Sequence, residues 1–109
     1  MRERAPNMYD FPLNGAQKKH LRSLGQQLDP VLKLGKGGLT PAFLSELQIQ
    51  LRANELIKLR FLGLDRTERD TLCTTISDEG RCVSLGTIGH TALFYRQQPD
   101  KAKRTITLP

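Results

Sequence analysis

The chain has 109 residues with 17 Lys and Arg against 11 Asp and Glu, which gives a net charge of +6 and a pI near 9.8. One domain with a modest core is what this length allows, since independent cores need on the order of 100 residues. No apolar run reaches the roughly 18 residues of a membrane span, and Met1-Arg2-Glu3-Arg4-Ala5-Pro6 has no apolar stretch behind its charges, so neither a membrane nor a secretory reading is supported and a cytoplasmic protein is expected.

Residues 1–12 lack periodicity and contain Pro6 and Pro12, so they read as a flexible leader. A helix is expected from Asn14 as N-cap. Leu13, Ala16, His20, Leu21, Leu24 and Leu28 share one face and Lys18, Lys19, Arg22 and Gln26 the other, until Asp29-Pro30 ends it. Val31 to Leu34 reads as a short strand leading into Gly35-Lys36-Gly37-Gly38. Thr40-Pro41 is an N-cap with proline at the first helical position, and Phe43, Leu44, Leu47 and Leu51 form the apolar stripe that follows. Leu56 to Phe61 alternates Ile57, Leu59 and Phe61 against Lys58 and Arg60, the period-two signature of a half-exposed strand.

Asp65 with Glu68 three residues on resembles a capping box for a third helix that buries Leu72, Cys73 and Ile76 and stops at Gly80. Cys82 to Ile88 and Thr91 to Arg96 form two strands around a Gly89-His90 turn. The predicted order is α-β-α-β-α-β-β. This is an α/β (α+β two-layer) fold, with helices packed on a four-stranded mixed sheet. Leu24, Leu47, Leu59, Leu72 and Phe94 are the expected core, and the basic segment 97–109 is expected to be mobile.

Catalytic signatures are missing: there is no G-x-S-x-G, no Walker loop and no G-x-G-x-x-G with a distant acid. His20 lies on an apolar helix face and reads as a core histidine rather than a base. Cys73 and Cys82 read as reduced core thiols, and with His20 and His90 they lack the spacing of a zinc site. Neither a metal nor a cofactor is expected, and the chain does not read as an enzyme.

The positive charge is segregated. Residues 1–38 hold seven Lys and Arg against three acids, residues 39–94 six against seven, and residues 95–109 four against one. Such a surface suits a polyanion. Gly35-Lys36-Gly37-Gly38 joins a strand to a helix, so its amides and the helix N-terminus can converge on phosphate, as the GxxG loop of KH domains does on single-stranded nucleic acid. The competing explanation is that a tight turn needs glycine for its own geometry. Lys18, Lys19 and Arg22 on the first helix would join Lys33 and Lys36 in one surface if that helix lay beside the loop. His90 is either an RNA contact or a plain turn residue.

Gln17-Lys18-Lys19-His20-Leu21-Arg22, Leu34-Gly35-Lys36-Gly37-Gly38-Leu39-Thr40, Glu55-Leu56-Ile57-Lys58-Leu59-Arg60 and Ile88-Gly89-His90-Thr91 running into Phe94-Tyr95-Arg96 together resemble the CRM domain (chloroplast RNA splicing and ribosome maturation), in its free-standing bacterial YhbY-like form. The resemblance implies a fold similar to the C-terminal domain of translation initiation factor three. It also implies RNA binding through Gly35, Lys36, Gly37, Gly38 and Lys33 and the first-helix face of Lys18, Lys19 and Arg22. Bacterial members of that family associate with precursor large ribosomal subunits, and plant members promote intron splicing. The domain would span residues 13–96. Ser77-Asp78-Glu79-Gly80 is less apolar than the family pattern, which predicts a frayed last turn. The expectation is therefore a monomeric assembly factor on large-subunit ribosomal RNA, and the alternative is a protein–protein module that docks on a ribosomal protein.

Overall fold

A computed structural model of the chain describes residues 13–109; the expected leader 1–12 lies outside the described residues. The elements are α1 (Gly15–Gly25), β1 (Leu32–Leu34), α2 (Pro41–Ala53), β2 (Leu56–Phe61), α3 (Arg66–Gly80), β3 (Val83–Ile88), β4 (Thr91–Tyr95) and a 3-10 turn η1 (Lys101–Lys103). The strands form one mixed sheet in the order β1-β2-β4-β3, with β1 parallel to β2 and the remaining pairs antiparallel. The expected α-β-α-β-α-β-β order and four-stranded mixed sheet are what is observed.

The helix starts follow from local chemistry. The Asn14 side chain accepts from Gln17 N and the Gln17 side chain accepts from Asn14 N, a reciprocal capping box; Asp65 and Glu68 do the same for α3. Thr40 Oγ1 accepts from Phe43 N at 3.0 Å, with Pro41 at the first helical position.

Helix α3 ends at Gly80 as expected, whereas α1 ends earlier than its sequence signals. Helix α1 stops at Gly25, four residues short of Asp29, where a Cβ would run into the Leu93 side chain. The last turn of α3 is not frayed. Gly80 remains helical because its missing Cβ admits Leu47 Cδ2, 2.7 Å from where that Cβ would stand. The left-handed residue is Arg81, at φ 53°.

Alternation along the strands builds two cores. Leu32, Leu34, Ile57, Leu59, Phe61, Ala92 and Phe94 point to the face covered by α2 and α3, where they meet Leu47, Leu51, Cys73 and Ile76. The other face carries Leu56, Leu85, Leu93 and Tyr95 against Leu13 and Leu21 of the α1 segment, a partial third layer. Of the five expected core residues, Leu47, Leu59 and Phe94 are fully buried. Leu24 and Leu72 are only half-buried, at the margins of their helix faces, and His20 is half-buried rather than a core histidine.

Residues 97–109 depart most from expectation, because they dock. Buried Glu55 gathers the segment: Gln98 N donates to Oε2 at 2.9 Å, while Thr105 N at 2.7 Å and Ile106 N at 3.0 Å donate to Oε1. Ile106 and Leu108 pack on the α1-side core, and Gln17 Nε2 donates to Pro109 O. The composition signals mobility because the anchor is a single carboxylate some 50 residues away in sequence.

Candidate nucleic-acid interface

The glycine loop is a β-turn closed by Gly38 N donating to Gly35 O at 3.1 Å, with Lys36 and Gly37 at its tip, both exposed. The four residues have different needs. Gly38 sits at φ +72°, where a side chain would be strained, so the turn itself requires that glycine. Gly37 has neither a left-handed φ nor any atom within 4 Å of a built Cβ, and a Cβ at Gly35 would meet only ordinary contacts. The fold therefore explains Gly38 but does not explain Gly37. Among the described residues, no acceptor takes the Lys36 or Gly37 N–H. Two unclaimed amides, an open Cα and an exposed ammonium meet at this tip, an arrangement with the donors and the room to receive an anion.

Helix α2 adds less to this arrangement than its N-terminus first suggests. Pro41 has no N–H and the Phe43 N–H is taken by Thr40, so the loop amides, backed by the helix dipole, are the main donors.

Beside the loop, the register assembles charge that no single segment displays. Lys33 pairs with Arg60, Arg60 with Thr91 and Lys58 with Leu93, so Lys33, Arg60 and Lys58 share the sheet face opposite α2 and α3. Neighbouring strands lie about 5 Å apart and alternate residues along a strand about 7 Å apart. Lys33 and Arg60 are exposed and Lys58 half-buried. Like charges side by side on a sheet repel and destabilise it, so this stripe favours an anionic partner. From sequence alone, Lys58 and Arg60 read as the exposed side of a half-exposed strand. Their alternation was visible, but the parallel register that brings Lys33 beside Arg60 was not.

The first-helix residues divide. Arg22 Nε donates to Leu85 O at 3.1 Å, which pins the side chain toward β3. Arg22 and Gln26 then line a cleft of about 200 Å³ with Lys58, Thr91 and Leu93. Arg22 is thus joined to Lys33 and the loop through Lys58 and Arg60. Lys18 and Lys19 lie six to seven residues back along α1 from the Gly25 end that packs on Leu93, about 10 Å at the helical rise. They extend the surface rather than forming its centre. His90 occupies the tip of the β3–β4 hairpin after Gly89 at φ +58°. Its carbonyl accepts from Phe61 N at 2.7 Å and its Nδ1 lies 3.4 Å from Arg69 Nη1, so it serves the turn.

The thiols do not contribute to this surface. Burial pushes Cys73 up to about 11 and Cys82 up to about 12, so both stay protonated at neutral pH. Among the described residues no helix is long and apolar enough to cross a membrane, and no three His, Cys, Asp or Glu side chains group so as to hold a metal ion.

Residues 13–96 match the family model of the CRS1/YhbY (CRM) domain. The chain is 37% identical over 97 residues to a Haemophilus influenzae protein called RNA-binding protein, spanning 89% of this chain and 95% of that one. A probable RNA-binding protein of Pseudomonas aeruginosa is 36% identical over 84% of this chain and 88% of its own length. One of Bacillus subtilis is 31% identical over 89% of this chain and 99% of its own length. Among solved structures, the solution structure of a Staphylococcus aureus protein described as a candidate RNA-binding protein superposes with a TM-score of 0.76. It shares 31% identity and covers 90% of this chain and 100% of its own.

Proposed function

The chain belongs to the CRS1/YhbY (CRM) domain family, and from that premise we propose that it binds RNA as a non-catalytic factor in assembly of the large ribosomal subunit, acting as a cytoplasmic monomer. The target is ribosomal RNA in the precursor subunit. The observation that carries RNA binding is Gly37, a residue kept without a side chain where neither the backbone angle nor crowding demands it. A phosphate seated on the Lys36 and Gly37 amides supplies the missing reason, because a Cβ at that point would hold its oxygens away. Lys36 adds charge at the tip, and Lys33, Arg60, Lys58 and Arg22 continue the track across the sheet face. Exposed Val31, Leu62 and Ile88 offer apolar ground for ribose and base edges.

The relatives' names support the ligand class, and the family resemblance supports the ribosomal target. The test is crosslinking in cells followed by sequencing of the bound RNA, for the wild-type chain and for a Lys36→Asp, Gly37→Asp variant whose circular dichroism is unchanged. Reads concentrated on large-subunit precursor RNA, and lost in the variant, are expected. Reads confined to other RNAs would remove the ribosomal assignment. Copurification of a ribosomal protein with no crosslinked RNA would replace RNA binding with the docking alternative.

A further inference from the structure

We propose a second phosphate site, distinct from the glycine loop, in the cleft between the C-terminal ends of α2 and α3, where Arg52 and Arg81 hold a phosphodiester of the same RNA. The inference rests on the RNA-binding reading and extends its footprint to the opposite end of the sheet.

The cleft has a volume of about 340 Å³ and is lined by Gln48, Arg52, Arg81, Arg96 and Gln98 over an apolar floor, with no carboxylate in its wall. Asp78 and Glu79 lie on the last turn of α3 but are not among the lining residues. Two helices present carbonyl ends here, which should favour cations and disfavour anions. Arg96 answers that demand at the end of α3. Its Nη2 donates to Gly80 O and, at 2.8 Å, to Gln48 Oε1, and its Nε donates to Arg81 O at 3.1 Å. Gln48 Nε2 donates to Gly80 O as well. With the α3 end satisfied from within, Arg81 is surplus there, and Arg52 in the last turn of α2 stands across the cleft from it. Both are exposed, and neither guanidinium makes a hydrogen bond or ion pair among the described residues.

Arg81 adds an independent reason. It holds φ 53° and ψ 55° at the C-cap of α3, a left-handed position where helices usually place glycine. An arginine there is strained, and strain of this kind persists where the side chain has work to do. Planar guanidinium forks match phosphate oxygens bidentately, and the flanking carboxamides can serve the ester oxygens or a 2′-hydroxyl. From Pro41 to Arg52 the helical rise is about 17 Å, which at about 3.4 Å per stacked nucleotide corresponds to roughly five nucleotides. One short strand can therefore reach both sites.

The experiment titrates the isotope-labelled full chain with a single-stranded RNA of about twelve nucleotides. The readouts are the arginine Nε–H signals of Arg52 and Arg81 and the loop amides of Lys36 and Gly37. Both sets should shift, and an acidic polyglutamate peptide should move the arginine signals far less. In an Arg52→Ala, Arg81→Gly variant, the log–log salt slope of RNA binding should fall by about 0.7, the value of one phosphate contact. The loop shifts should persist in that variant. Its melting temperature should rise by a few degrees, because glycine relieves the left-handed backbone. Loop shifts without arginine shifts overturn the cleft and leave the RNA reading standing. No shift at either site overturns both. Arginine shifts larger with polyglutamate than with RNA assign the cleft to an acidic protein segment instead. Arginine shifts with an unchanged slope in the variant remove the phosphate contact as well.

Discussion

A methyl group added at Gly37 meets nothing, whereas one added at the neighbouring Gly38 falls on a φ of +72°. Gly37→Ala should therefore leave stability unchanged or raise it by about 0.4–1 kcal/mol through the unfolded chain, while Gly38→Ala should lower it. RNA affinity should fall about tenfold in Gly37→Ala, corresponding to roughly 1.4 kcal/mol. Melting curves beside binding isotherms would separate the two glycines, and an affinity loss matched by a stability loss would return Gly37 to an ordinary turn role. Glu55 makes the second residue-scale prediction. Burial raises its pKa, but the hydrogen bonds from Gln98, Ile106 and Thr105 outweigh burial and hold it below the usual carboxylate value of 4.5. A folded-state pKa below the unfolded one gives stability that is present above the unfolded pKa and lost as pH falls through the folded value. The protection of the Thr105 and Ile106 amides against exchange, relative to their intrinsic rate at each pH, should thus be present at pH 7 and be lost as pH falls through the folded-state value of Glu55. Glu55→Gln should release the tail at neutral pH and cost about 2 kcal/mol, the scale of hydrogen bonds to a charged acceptor. The glycine loop could be read from sequence because its chemistry is local. The anchoring role of Glu55 could not, since its partners arrive from beyond Gln97.

At the scale of elements, helix starts were legible, as was the Gly80 end of α3, but the end of α1 was not. Asn14, Thr40 and Asp65 announce themselves through side chains that bond three residues ahead. Endings depend on tertiary neighbours: Leu93 lies against Gly25, and Leu47 fills the space that keeps Gly80 helical. The same neighbours decide which apolar residues matter. Leu47 is 0% exposed between α2, α3 and the sheet, whereas Leu24 and Leu72 stand at the margins. Leu47→Ala should destabilise by about 2–5 kcal/mol, through lost transfer energy plus the cavity left beside Gly80. Lys19→Ala, on the exposed side of α1, should change stability by no more than about 0.5 kcal/mol. Denaturant titration of the two variants measures both, and equal losses would show that the faces of α1 and α2 are wrongly assigned.

Across the whole molecule, the sequence shows a net charge of +6 but only the sheet register shows where it converges. Lys36, Lys33, Arg60, Lys58 and Arg22 come from three segments, and the link between them runs through β2, whose two charges in sequence read as the polar side of a strand. If about four phosphates are neutralised on this surface, the log–log salt slope for a single strand should be roughly −3. A flat response would point to base stacking, for which 6% aromatic residues give little material. The register also predicts opposite signs for binding and stability at one residue. Arg60 stands directly beside Lys33, two cationic side chains leaving parallel strands that lie about 5 Å apart, a repulsion the unliganded fold must absorb. Arg60→Gln removes that repulsion while keeping the length and exposure of the side chain. At low salt the variant should melt above wild type, and the difference should shrink as salt screens the pair over a Debye length of about 10 Å at 0.1 M. RNA affinity should fall and the salt slope should flatten by about 0.7, one phosphate contact. If Arg60 were only a solvated surface residue, neither the melting temperature nor the slope would move. If it were structural, the variant would melt below wild type. A rise in stability joined to a loss of one contact is the outcome expected of a residue held for its ligand.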